Sequence, residues 1–188
     1  MTIQLLISEM HPDNLTVFSE ICNDVHGDSE ARKMEEKRII EKMEQLAKQI
    51  HYEPKDISYL AKAMCVNKLE NGNTSNKEYT NGSLGTLGDA VLKLIITEKL
   101  YLEGKDRGEI TEIKSNLERN EYLNFIKEKY QLQTYAYNDN YFFDETPKHD
   151  QLTNSGHDVY FEAIVGAVYL DRGLQYCSKW VKPFIWDE

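Results

Sequence analysis

Apolar residues recur at helical steps along most of this chain. Between Ser29 and Ile50, Ile39, Met43, Leu46 and Ile50 follow one another at steps of four, three and four inside a charged stretch. That is one narrow apolar stripe on a solvated rod, which predicts a helix that either docks on its own domain or takes a partner helix. Upstream, residues 12–25 open with Pro12, suited to a first helical turn. They set Leu15, Phe18 and Ile21 or Cys22 on one face before Gly27. His51 to Met64 predicts a further helix, with Pro54 in its first turn and Ile57, Leu60 and Ala61 facing inward. Residues 67–83 are polar and rich in Asn and Gly, the composition of a loop. Periodicity returns over 84–102 with Leu87, Val91, Leu94, Ile95 and Leu102. Two shorter helices are predicted near 109–117 and 120–130, and a last pair near 158–171 and 174–185, parted at Gly173. Residues 131–156 show no clear period. With no hairpin signal, the pattern reads as all-α.

Composition narrows this picture in three ways. No apolar run approaches the roughly 18 residues of a membrane span, so no membrane association is expected. The opening residues 1–10 carry neither a basic leader nor a small-residue cleavage site, so no secretory signal is expected. Cys22, Cys65 and Cys177 form no CxxC pair; they read as thiols of a reducing, intracellular compartment, cytoplasmic or nuclear, not as a disulfide framework or a zinc site. The charge is less tractable. Asp and Glu number 32 against 22 Lys and Arg, a formal net of −10. Nucleic-acid binders usually present a basic face, so composition alone argues against RNA. A local basic strip, or metal ions held by the chain's own carboxylates, would offset it.

Two carboxylates stand out against the apolar helices that carry them. Asp89 lies in Leu84-Gly85-Thr86-Leu87-Gly88-Asp89-Ala90-Val91-Leu92, and Glu162 is second in the run Phe161-Glu162-Ala163-Ile164-Val165-Gly166-Ala167-Val168-Tyr169-Leu170-Asp171-Arg172-Gly173. An unpartnered carboxylate on such a face would be expensive to bury. Gly88 and Gly166, without side chains, would let two helices approach closely and bring the carboxylates together. Gathered carboxylates repel unless a cation lies between them, and hard oxygen donors select magnesium or manganese. The competing reading is structural, with each carboxylate bonded to a helix end or a buried partner.

These two segments, with Gly108-Glu109-Ile110-Thr111 and Lys114-Ser115-Asn116-Leu117 between them, resemble the ribonuclease III family in the same order. The resemblance covers roughly 54–188. It implies an all-α endonuclease domain at 51–188, a homodimer, and magnesium- or manganese-dependent hydrolysis of double-stranded or structured RNA, while residues 1–50, outside the resemblance, read as a helical extension. The products would carry a 5′-phosphate and a 3′-hydroxyl. A stand-alone domain without a double-stranded RNA-binding module is expected, and a protein partner is open to the N-terminal helices.

The sequence departs from the family's pattern at its metal site. Of the four carboxylates in the family, the first Glu falls on Gly85 and the later Asp on Val159, leaving Asp89 and Glu162. The aromatic that plugs into the partner subunit is Thr86 here. Two outcomes are compatible with this: a reduced but working site, as in the family's miniature branch, or a catalytically inactive RNA-binding or assembly scaffold. Asp158, four residues before Glu162, shares its helical face and is either a further metal ligand or the N-cap of that helix. His157 reads as a surface residue. Lys114, Asn116 and Lys148 are candidate phosphate contacts, or solvated surface. Tyr135, Tyr137, Tyr141, Phe142 and Phe143 would stack on bases or, as the commoner alternative, pack in the core.

Overall fold

The computed structural model describes residues 29–66, 68–69, 78–137 and 159–186. Its elements are α1 (Ser29–Gln49), α2 (Ser58–Met64), β1 (Lys68–Leu69), β2 (Glu78–Tyr79), α3 (Gly82–Leu102), α4 (Arg107–Leu117), α5 (Asn120–Lys129), a 3-10 turn (Leu132–Tyr135) and α6 (Tyr160–Ile185). Among the described residues the fold is all-α apart from an antiparallel pairing, Lys68 with Tyr79 and Leu69 with Glu78, and an isolated bridge between Cys65 and Tyr137. The antiparallel pairing lies in the stretch expected to be pure loop. Two-residue strands are too short for an alternation to declare itself in the sequence.

Helix α6 is the centre of the molecule. Phe161, Ala163, Ile164, Val165, Ala167 and Val168 are buried on it, against Val91, Leu92, Ile95 and Ile96 of α3 and Leu60, Ala61 and Met64 of α2. The stripe of α1 joins the same core: Ile39, Met43, Leu46 and Ile50 are all buried, so the face open to a partner helix in the sequence is covered by the chain itself. The Trp180 indole N–H donates to the Ile50 carbonyl at 2.9 Å and ties the end of α1 to α6. Val159 holds the N-cap position of α6 without a side-chain cap bond. Gly173 divides α6 as expected, with φ 77 and ψ 169, a conformation that side-chain-bearing residues avoid.

Three expectations are corrected. The helix expected from His51 begins at Ser58, because Asp171 claims the backbone before it. The Asp171 carboxylate accepts from the Lys55 N–H at 2.8 Å, the Asp56 N–H at 3.0 Å and the Tyr52 hydroxyl at 2.5 Å. Asp56 then accepts from the Ser58 N–H at 2.9 Å and opens α2. On α3 the buried face runs through Gly85, Gly88, Val91, Leu92, Ile95, Ile96 and Leu100, whereas Leu94 and Leu102 point outward. Helix α4 starts two residues earlier than expected, since Asp106 and Glu109 form a reciprocal capping box: the Glu109 N–H donates to Asp106 at 2.9 Å, and the Asp106 N–H to Glu109 at 3.0 Å.

No helix among the described residues is long and apolar enough to cross a membrane. Cys65 and Cys177 are buried thiols, and burial pushes the Cys177 thiol up to about 12, so it stays protonated. Cys22 and the expected helix at 12–25 lie outside the described residues.

Candidate functional site

The site is made by a crossing of α3 and α6 at two glycines. A Cβ on Gly88 would overlap the Glu162 carbonyl oxygen, and one on Gly166 would come within 2.5 Å of the Leu84 carbonyl oxygen. Backbone therefore rests on backbone, and the residues flanking the crossing, Asp89 on α3 and Glu162 on α6, are brought together. Both side chains are half-buried, at the rim of the apolar interface.

Their charges act on each other. Burial pushes the Glu162 carboxyl up to about 7, the negative charge of Asp89 adds to the rise, and the Lys93 ammonium opposes it. Lys93, one helical turn after Asp89, places its Nζ 2.6 Å from Asp89 Oδ2. That hydrogen bond is the main reason its ammonium is held above the ordinary lysine range; burial works against it, and the charges of Asp89, Glu118 and Glu162 favour it. Glu118, just after α4, pairs through Oε2 with Lys114 at 3.1 Å, and its buried Oε1 has no hydrogen-bond partner among the described residues. No group of three or more His, Cys, Asp and Glu side chains among the described residues is gathered tightly enough to hold a metal. Asp89 and Glu162 are a pair.

The positions at which the family pattern has further carboxylates are in contact with each other. A Cβ on Gly85 would lie 2.9 Å from the Val159 Cβ, so the valine side chain covers the glycine. Lys114 is half-buried and engaged by Glu118, and Asn116 is exposed on α4. Asp158, His157 and Lys148 lie outside the described residues, as do Tyr141, Phe142 and Phe143. Tyr135 and Tyr137 serve packing: the Tyr135 hydroxyl donates to Gln49 Oε1 at 2.5 Å and the Tyr137 hydroxyl to the Ala61 carbonyl at 3.0 Å. Thr86, in place of the aromatic plug, folds its hydroxyl back onto the Gly82 carbonyl at 3.1 Å.

Sequence reasoning passed over Lys93 and Glu118. The spacing of four from Asp89 was a usable signal for the lysine, since oppositely charged residues so spaced on a helix meet. For Glu118 there was none, because its approach depends on how α4 docks.

Comparison with known proteins agrees with this architecture. Residues 82–173 match the family model described as ribonuclease III domain. Ribonuclease 3 of Zunongwangia profunda is 31% identical over 138 residues, covering 72% of this chain and 54% of that protein. Ribonuclease 3 of Phocaeicola vulgatus is 30% identical over 142 residues, covering 72% and 42%. The chain thus spans about half the length of these curated relatives. Among solved structures, the nuclease domain of ribonuclease III from Campylobacter jejuni, described for flexibility in a region involved in dimer formation, aligns with a TM-score of 0.60. It is 26% identical and covers 76% of this chain and 95% of that one.

Proposed function

The chain carries a ribonuclease III domain, and from that premise we propose that it is an endoribonuclease hydrolysing double-stranded or structured RNA with magnesium or manganese. The observation that carries this reading is the glycine crossing that brings Asp89 against Glu162. Two carboxylates brought together, with the Lys93 ammonium bonded to Asp89, are a hard-oxygen donor set. Magnesium is commonly held by one or two carboxylates, its other positions left to water and substrate phosphate, so the pair fits such an ion.

Asp89 and Glu162 would hold the ion, with Asp158 as the proposed third ligand. When bound, the ion would supply water activation and charge neutralisation at a phosphodiester, and the expected products carry 5′-phosphate and 3′-hydroxyl ends. The chain's own groups bind and orient the RNA. Lys114, Asn116 and Lys148 are the proposed phosphate contacts. A-form duplexes are read by shape and 2′-hydroxyls, which needs no stacking aromatic and suits the internal engagement of Tyr135 and Tyr137. A two-fold homodimer would present two such sites to one duplex.

A second reading, an inactive RNA-binding or assembly scaffold, is favoured by one observation: Val159 and Gly85 make an apolar contact where the family has carboxylates. Titrating magnesium into purified protein with long duplex RNA separates the two. Cleavage that needs the metal is expected, and Glu162→Gln should abolish it while leaving RNA binding intact. No cutting of several duplexes at high enzyme concentration would favour the scaffold instead, and cutting without metal would overturn the metal-dependent reading.

A further inference from the structure

Lys93 belongs to neither the family motif nor the ligand set. An Asp and a Lys four apart on a helix are ordinarily a surface ion pair of small consequence. Here the surroundings differ. The ammonium contacts Asp89 at 2.6 Å and lies in the field of two further carboxylates from other elements, Glu162 on α6 and Glu118 after α4. One helical turn before Asp89, Val159 closes over Gly85, so among the described residues these two positions add no carboxylate to the pair. Among the described residues, the cation that reaches Asp89 is this lysine. A divalent ion bound to Asp89 would meet the ammonium at the same carboxylate, and the two positive charges cannot share it without repulsion.

We propose that Lys93 is a positioning residue of the metal centre: its ammonium holds Asp89 in the place of a divalent ion, so that ion binding requires the lysine to leave. The apolar contact of Val159 on Gly85 then restricts the centre to one ion. This rests on the reading of Asp89 and Glu162 as ligands. Lys93 sets the affinity of the site, and the group best suited to receive the displaced ammonium is a phosphate oxygen of bound RNA.

Isothermal titration of the full chain with manganese alone, without RNA, tests this. Wild type is expected to bind one ion per chain weakly. Lys93→Met should bind about ten-fold tighter or better, the scale of one charge-assisted contact, whereas Lys93→Arg should stay near wild type. Lys99→Met removes an equal charge further along α3, where the lysine pairs with Glu103, and should leave the affinity unchanged. Equal or weaker binding by Lys93→Met overturns the proposal, as does an equal gain in Lys99→Met, which would make the effect one of overall charge. If Glu162→Gln and wild type both fail to bind manganese, the ligand reading falls with it. If wild type binds and loses the ion in Glu162→Gln while Lys93→Met changes nothing, only the role of Lys93 falls.

Discussion

A glutamate that keeps its proton to about pH 7 makes the stability of the metal-free protein fall as pH rises. In the unfolded chain Glu162 loses its proton near the ordinary value of 4.5; in the folded chain it holds it to about 7. Between these values the folded state binds more protons, so each step up in pH favours unfolding. The stabilisation is complete below 4.5 and gone above 7. Glu162→Gln keeps the shape and discards the charge, so it should melt like wild type at pH 4.5 and higher than wild type at pH 8. The gain should be roughly 1–2 kcal/mol once solvent screening of a half-buried group is allowed for. Melting by circular dichroism in EDTA at the two pH values measures this, and an equal difference at both would contradict it. The same residues mark the limit of sequence reading. Asp89 and Glu162 were legible because charge on an apolar helical face is anomalous. The clamp made by Asp171 was not, since its partners at 52–56 become neighbours only after α2 and α6 have packed.

Helix periods were legible for a similar reason: packing imposes them on the sequence. Errors arose where tertiary contacts compete with local preference, as when Asp171 takes the backbone N–H groups of 55 and 56 and delays α2. On α3 a leucine count could not say which leucines face α6; the glycines did, because only a face without side chains can make this crossing. Gly88→Ala sets two effects against each other. Alanine gains about 1 kcal/mol of helix propensity over glycine, but its Cβ would overlap the Glu162 carbonyl oxygen and lie 2.8 Å from the Gly166 nitrogen. Backbone atoms on α6 cannot swing aside, so the helices must part, and overpacking of this kind costs about 1–3 kcal/mol or more. A net loss of stability is expected, together with a loss of manganese affinity, because the parting separates Asp89 from Glu162. A chemical-denaturation midpoint at or above that of wild type would show that the crossing is looser than described.

At the scale of the molecule, α3 carries more apolar surface than α6 uses. Leu94 is 51% exposed, Tyr101 71% and Leu102 75%, while Leu87 is half-buried. Leu87, Leu94 and Tyr101 follow at steps of seven, the spacing that keeps one seam of a helix turned toward another helix. Leu170 adds 47% exposure on α6. A second copy of the chain is the partner that such a seam suits, since a two-fold axis would pair α3 with α3 and turn two carboxylate pairs toward one duplex. Thr86 supplies no plug, its hydroxyl being bonded within its own helix, so association would rest on the leucines and Tyr101. Full burial of one leucine contributes about 1.5–3 kcal/mol, and a two-fold seam buries each residue twice. Light scattering should therefore give a dimeric mass at micromolar concentration. Leu94→Glu, which sets two like charges across the axis, should give a monomer with an unaltered helical spectrum. Wild type that scatters as a monomer at tens of micromolar, with and without duplex RNA, would leave the α3 seam unpartnered and each carboxylate pair acting alone.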